Sequence, residues 1–192
     1  MPDTTDLDID ASIALRLLAL RQSQSLSLAQ LAERSGVSKA MISRIERAES
    51  SATAALLGRL AAALGVPLAQ LLAEPSASAQ PLRRRQDQEV WRDPEVGYLR
   101  RQVAPAEPPG GIELVEVEMP RRACVSYPRW SQGAYRQRLW MLEGELAVTY
   151  GEETFHLAPG DCLSFSVDRP LTYRAQGRGG CRYLLVVARA AR

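Results

Sequence analysis

The feature that most constrains this chain is a change of hydrophobic period near residue 75. From Ser12 to Leu72 the apolar residues recur at helical spacing and Ala and Leu dominate, the pattern of amphipathic helices. From about Leu82 onward the chain is cut into short runs rich in β-branched and aromatic residues, broken by Pro and Gly, the pattern of strands. A helical stripe and an alternating strand face bury their apolar sides in different ways, so the chain divides into two domains. The segment Glu74-Pro-Ser-Ala-Ser-Ala-Gln-Pro81 has the composition of a linker, with Ser and Ala between prolines and no aromatic residue. The expected organisation is an acidic flexible tail over 1–10, a helical domain over 11–73, a linker over 74–81 and a β domain over 82–192. No internal repeat is evident.

Composition narrows the function classes. The chain has 192 residues, and its formal net charge of +2 selects no partner. Its longest apolar runs, such as Ala61–Leu64 and Leu184–Ala188, fall far short of the roughly 20 residues a membrane helix needs. The N-terminus is acidic where a secretory signal would be basic. Cys124, Cys162 and Cys181 lie far apart with no C-x-x-C pair, which suggests neither a disulfide framework nor a zinc site and makes a reducing cytoplasm the expected compartment. His156 is the single histidine, so a multi-histidine metal site is excluded.

The helical half parses element by element. A first helix is expected over Ser12–Gln22 with Ile13, Leu17 and Leu20 on one face. Ser27 is a good N-cap for a second over Leu28–Arg34, with Leu28, Leu31 and Ala32 inward. Gly36 supplies a turn residue, and Ser38 caps a third helix to about Arg47 with Met41, Ile42 and Ile45 as its stripe. A fourth covers Thr53–Leu64, stopped by Gly65, and a short fifth follows Pro67. Two short helices joined by a tight Gly turn have the spacing of a helix-turn-helix.

Ser27–Arg47, with Leu31-Ala32, Gly36-Val37, Ile42-Ser43 and Ile45-Glu46 at fixed spacing, resembles the phage-repressor or xenobiotic-response-element class of helix-turn-helix proteins. Leu56–Leu72 is similar to that family's fourth and fifth helices. The resemblance implies a third helix lying in the major groove of double-stranded DNA. Lys39 and Arg44 would then donate to guanine or phosphate, and Ala40 would meet a thymine methyl. Ser27, Ser38 and Ser43 would hold phosphates and Arg47 would be a backbone contact. Leu28 stands where the family often has Gln, so the second helix is expected to contribute less. Arg21 and Glu46 match positions of a buried ion pair in some relatives and are expected to tie the first helix to the third. Residues 11–73 carry seven basic against three acidic side chains, a modest footprint that suits a dimer better than a lone module.

In the second half, strands are expected at Gly111–Met119, Gln137–Leu142, Glu145–Tyr150, Glu153–Leu157, Cys162–Ser166, Leu171–Ala175 and Cys181–Ala188. Many short antiparallel strands suggest a barrel or jelly roll. Trp140–Asp161 resembles the core of the cupin family. That resemblance places the usual metal-binding glutamate on Gln137, two histidines within Trp130–Gly133 and a third at Leu171, so all four ligands are missing and no metal or other cofactor is expected. His156 reads as a packed or edge histidine. Tyr127, Trp130, Tyr135, Gln137, Arg138, Trp140, Tyr173 and Arg174 are candidates for a ligand-binding barrel mouth, for a ligand with an apolar body and an acid or amide group. Each aromatic among them has an alternative place in the barrel core or a dimer interface. Arg83–Arg85 would either graze phosphates or stay solvated, and Gln86–Pro94 resembles the first strand of regulators with this domain order.

The expected fold is two-domain α plus β: a five-helix helix-turn-helix bundle followed by a cupin-like antiparallel barrel. The order resembles bacterial one-component transcription regulators, which implies a homodimer on a two-fold-symmetric operator and a small-molecule effector. Two other readings stand beside it. One is a controller or antitoxin-like protein whose barrel only dimerises. The other is a barrel enzyme, drawing on His156, Asp161 and tyrosines, tethered to a DNA module.

Overall fold

The computed structural model describes residues 4–72, 81–104, 111–130 and 135–189. Five helices come first: α1 (Thr4–Ser23), α2 (Leu28–Ser35), α3 (Lys39–Glu46), α4 (Ala54–Leu64) and α5 (Ala69–Leu72). Local chemistry sets their ends. Ser27 accepts the Gln30 N–H while the Gln30 side chain accepts the Ser27 N–H, so two amides that the helix leaves unpaired are satisfied together. Ser38 and Thr53 start α3 and α4 by accepting from the Met41 and Leu56 amides. Gly36 ends α2 at φ 66°, a left-handed conformation that costs a residue with a Cβ roughly 1–2 kcal/mol, and lets α3 follow after two residues. Ile13, Leu17, Leu31, Ile42, Ile45, Leu57, Leu60 and Leu71 are all but sealed from solvent, so all five helices feed one core.

The N-terminal helix corrects the expectation of a frayed tail. α1 starts at Thr4, eight residues before the expected Ser12. The reason is tertiary: Ile9 packs against the core and the Asp10 carboxylate accepts a hydrogen bond from Ser51. The expected linker lies, apart from Pro81, outside the described residues.

A 3₁₀ turn at Arg85–Asp87 leads into eight strands: β1 (Val90–Arg92), β2 (Leu99–Ala104), β3 (Glu113–Met119), β4 (Cys124–Tyr127), β5 (Tyr135–Tyr150), β6 (Glu153–Leu157), β7 (Cys162–Ser166) and β8 (Leu171–Arg189). All their pairings are antiparallel. β5 and β8 pair along their whole length, from Tyr135 opposite Arg189 to Tyr150 opposite Leu171. Around Tyr135–Gly144 they are flanked by β7 and by β3, β2 and β1; around Glu145–Tyr150 they are flanked by β6 and β4. Two sheets thus share two bent strands and fold over one core of Val115, Leu139, Met141, Leu146, Val148, Tyr173 and Leu185. This is the cupin-like jelly roll.

Four expected short strands are really two long ones. Glu143-Gly144 and Gly177–Gly180 mark bends and a register shift between paired strands, and the chain does not turn back there. β2 and β4 were not expected as strands, while β1 falls within Gln86–Pro94, the segment that resembles a first strand. β2 reads Leu-Arg-Arg-Gln-Val-Ala with Arg100 and Gln102 on its buried side, so its hydrophobic alternation is inverted.

The domains touch. The Asp93 carboxylate, 2% exposed, accepts the Ala54 N–H at the first residue of α4 (2.6 Å) and also the Glu95 and Val96 amides. A β-domain side chain therefore caps a helix of the helical domain. Nearby, Gly58 in the middle of α4 lies against the ring of Tyr127, so close that a Cβ on Gly58 would overlap it.

Candidate functional site

The inner side of the helix-turn-helix is fixed first. Ile42 and Ile45 of α3 are buried, and the Arg21 guanidinium grips Glu46 through two bonds, Nε to Oε1 at 2.6 Å and Nη2 to Oε2 at 2.8 Å. Arg21 Nη1 also donates to the Leu26 carbonyl at 2.8 Å. Both partners are largely buried, and the planar fork matches the carboxylate in two places at once, which locks the roll of α3 against α1. Glu46 and the accompanying hydrogen bond hold the Arg21 pKa above its ordinary value against the opposing effect of burial.

With Ile42 and Ile45 turned inward, the helical period turns Lys39, Ala40, Ser43 and Arg44 outward. Lys39, Ala40 and Arg44 are exposed and Ser43 is half-buried. Ser27 and Ser38 are exposed at the starts of α2 and α3; their oxygens accept helix-start amides, and each hydroxyl keeps its own proton to donate. Arg47 is exposed at the end of α3 and pairs with Glu49 at 2.8 Å, an exposed ion pair of the kind that contributes little. Arg59 of α4 reaches the Gly36 carbonyl at the turn (3.4 Å) and adds a cation beside it that the sequence reading did not single out. Arg85 faces the sheet, pairing with Glu116 and Glu118, while Arg83 donates to the Asp87 carbonyl.

The β domain forms most of a partly open cavity of about 50 Å³. Tyr127, Trp130, Gln137 and Tyr173 line it as expected, and Tyr98, Arg100, Glu113 and Tyr183 line it as well. Pro67 and Leu68 of the helical domain complete the wall. Arg100 Nη2 donates to Glu113 at 3.0 Å, the two side chains 9% and 2% exposed. Tyr98 and Tyr127 share a hydrogen bond between hydroxyls (3.1 Å), and the Tyr173 hydroxyl donates to Gln137 Oε1 at 3.2 Å. Burial pushes all four tyrosine hydroxyls above their ordinary pKa, so they stay neutral. Burial likewise raises the Glu113 carboxyl, with Arg100 pulling the other way.

Four of the expected pocket residues do not line the cavity. Tyr135 is buried with its ring edge-on to Trp130, centroids 5.6 Å apart. Arg138, Trp140 and Arg174 are exposed on the outer face. Successive strand residues point to opposite sides, so Gln137, Leu139 and Met141 claim the inside of β5, and Tyr173 claims it on β8. The missed Arg100 and Glu113 are charged residues inside a core. Arg100 sits beside Arg101 in a segment not expected as a strand, and Glu113 opens the charged set 113, 116 and 118 of an expected strand, so no regular alternation marked either as inward.

Gln137 and Leu171 both line the cavity, where the resemblance places two of the metal-binding positions of a cupin. An amide already accepting from a tyrosine and an aliphatic side chain do not make a divalent metal site. Among the described residues no three of His, Cys, Asp and Glu gather at metal-binding distance. His156 sits exposed on β6, its Nδ1 3.1 Å from Gln176 Oε1.

The fold and the exposed third helix define a helix-turn-helix protein carrying a cupin-like jelly roll. Residues 17–71 match the helix-turn-helix family model. The chain is 30% identical over 165 residues to the HTH-type transcriptional regulator SutR of Escherichia coli (strain K12), covering 86% of this chain and 88% of that protein. It is also similar to the crystal structure of an HTH_3 family transcriptional regulator from Vibrio cholerae, with TM-score 0.79 and 27% identity over 97% of this chain and 99% of that one. A cupin domain of an XRE family transcriptional regulator from Enterobacter cloacae matches 50% of this chain and 98% of that one at 15% identity and TM-score 0.45. The chain belongs to the helix-turn-helix transcription regulators and is a DNA-binding regulator of transcription. Among the described residues no helix is long and apolar enough to cross a membrane.

Proposed function

We propose that this protein works in the cytoplasm as a homodimer on a two-fold-symmetric operator, and that its jelly roll senses a small molecule without metal and without catalysis. One observation carries the DNA-reading part: Lys39, Ala40, Ser43 and Arg44 share the outer face of a helix whose inner face is fixed by Ile42, Ile45 and the Arg21–Glu46 pair. Lys39 and Arg44 supply donors for base edges or phosphates, Ala40 an apolar contact, and Ser27, Ser38, Ser43 and Arg47 backbone contacts. One such helix offers too few base contacts for a specific site at cellular salt, and two-fold pairing doubles them.

A binding selection on genomic fragments at physiological salt tests this reading, comparing wild type with the Lys39→Ala/Arg44→Ala variant. A palindromic site recovered by wild type and lost by the variant is expected. Enrichment unchanged by the variant overturns the assignment of the reading residues. Thermal shift against a metabolite panel, followed by operator titration, tests sensing, and a ligand that stabilises the protein but leaves operator affinity unchanged sinks the switch.

The small cavity favours a second reading, a controller-type protein whose jelly roll only dimerises. It predicts no stabilising ligand in the panel and a dimer that binds the operator equally well throughout.

A further inference from the structure

Beside the connecting residues Pro128, Trp130 and Val167, the cavity has walls of two further kinds. Tyr98, Arg100, Glu113, Gln137 and Tyr173 belong to strands or strand ends tied into the antiparallel sheet. Pro67 and Leu68 belong to the turn between α4 and α5 of the DNA-binding domain, and Tyr127 of β4 stands where the two domains meet, against Gly58 of α4. Widening the strand wall breaks sheet hydrogen bonds. Moving the α4–α5 wall breaks no strand pairing; among the described residues it strains the packing on Tyr127 and the Asp93–Ala54 hydrogen bond. A water needs roughly 10–15 Å³ of such space, so the cavity takes only a few water-sized groups as it stands. A ligand larger than this space presses on the walls that no strand pairing holds, and the Pro67–Leu68 turn is one of them.

The lining also states what chemistry it lacks. Among the described residues, Arg100 Nε is the buried side-chain nitrogen left without a hydrogen-bond partner, in a side chain 91% buried whose Nη2 is already committed to Glu113. The Tyr173 and Tyr183 hydroxyls donate elsewhere, to Gln137 and to the Met119 sulfur, and those of Tyr98 and Tyr127 are bonded to each other. A spare, buried guanidinium donor in an aromatic pocket is satisfied by an acceptor, and a carboxylate is its strongest natural partner.

Resting on the sensing reading above, we propose that the cavity binds a small carboxylic acid through Arg100, and that an acid too large for it displaces Tyr127 and the Pro67–Leu68 wall, undocking α4 from the jelly roll. Ligand size is thereby converted into freedom of the DNA-reading domain. Tyr127 acts as a positioning residue between ligand and helix.

The test uses the full chain with sodium acetate and sodium benzoate as probes and two readouts. The indole N–H signal of Trp130, which lines the cavity, reports occupancy. Hydrogen exchange of the Ala54 amide, held by Asp93, reports domain docking. Acetate is expected to shift the Trp130 signal with Ala54 protection intact; benzoate is expected to shift it and speed Ala54 exchange at least tenfold. In Tyr127→Ala, where the ring no longer fills the gap, benzoate should leave Ala54 exchange at that variant's ligand-free value. Arg100→Gln/Glu113→Gln keeps neutral hydrogen-bonding groups of similar shape and should lose the response to both acids. Should that variant not fold, neutral benzamide replaces it as the control, and a Trp130 response equal to that of benzoate overturns the carboxylate assignment. A Trp130 shift by benzoate with unchanged Ala54 exchange overturns the coupling and leaves sensing in place. No Trp130 response to either acid overturns the proposal, and silence across the metabolite panel as well removes sensing itself.

Discussion

Arg21 and Arg44 are both arginines within reach of α3, yet they do opposite work because one faces in and the other out. Arg21→Ala leaves the Glu46 carboxylate largely buried without its partner; removing one member of a buried pair costs about 3–5 kcal/mol, and this pair's partial exposure puts it near the lower end. Thermal or urea unfolding measures that loss. Arg44→Ala, fully on the outer face, should leave stability unchanged while costing about 1–3 kcal/mol on the cognate operator and relaxing base preference there. Titration against cognate and random DNA separates the two roles: equal losses on both identify a phosphate contact. The side each arginine takes was legible in the sequence, because the helical period dictates it once the neighbours are known to be apolar. The cavity residues were less so. Arg138, Trp140 and Arg174 have the right chemistry for a ligand and the wrong parity on their strands, and parity depends on register, which a glycine bend can shift.

At the level of elements, the caps were written in the sequence and the sheet was only half written. Ser27 and Ser38, expected as caps, and Thr53, expected as the first residue of its helix, sit one residue before α2, α3 and α4, as their side-chain chemistry requires. The strands β5 and β8 looked like two pairs because local glycine signals for a bend and for a turn are the same. On the outer side of the sheet, Glu116 of β3 gathers Arg182 of β8 at 2.8 Å and Arg85 and Arg101 at 3.2 Å each, so one carboxylate ties the strand edge, the neighbouring strands and the domain entrance together. Burial works against its charge, but the three arginines together hold its pKa below the ordinary carboxylate value. A carboxyl whose folded pKa is lowered adds stability above its unfolded pKa of 4.5 and loses it as pH falls through the folded value. Glu116→Gln should therefore lower the melting temperature at pH 7 and flatten its decline between pH 5 and pH 3. A mutant decline as steep as wild type assigns acid sensitivity to other carboxylates.

For the molecule as a whole, the domain contact is the element that turns two folds into one device. Asp93→Ala removes the carboxylate that caps α4 from the other domain; loss of an N-cap contact typically costs about 1 kcal/mol. Comparing Ala54 hydrogen exchange in wild type and variant checks it, with faster exchange confined to the start of α4 as the expected result. Two-fold operator recognition predicts a dimer in sedimentation and half-sites about one DNA turn, roughly 34–36 Å, apart. Because Gln137 and Leu171 stand where metal ligands would be needed, a chelator is expected to change neither melting temperature nor operator binding, and a stoichiometric metal in purified protein overturns that expectation.

The sequence by itself determined the change from helices to strands, the starts of α2 and α3 and the outward face of α3, because periodicity and capping act within a few residues of chain. It also carried the family resemblance, whose motif lies in one continuous segment. Only the tertiary structure decided that α1 begins at Thr4, that Arg100 and Glu113 meet inside the jelly roll, that Pro67 and Leu68 close upon its cavity and that Gly58 packs against Tyr127. Each of those contacts joins residues distant in the chain, where no local rule of period or propensity reaches, and the burial that favours them exists only once both domains have formed.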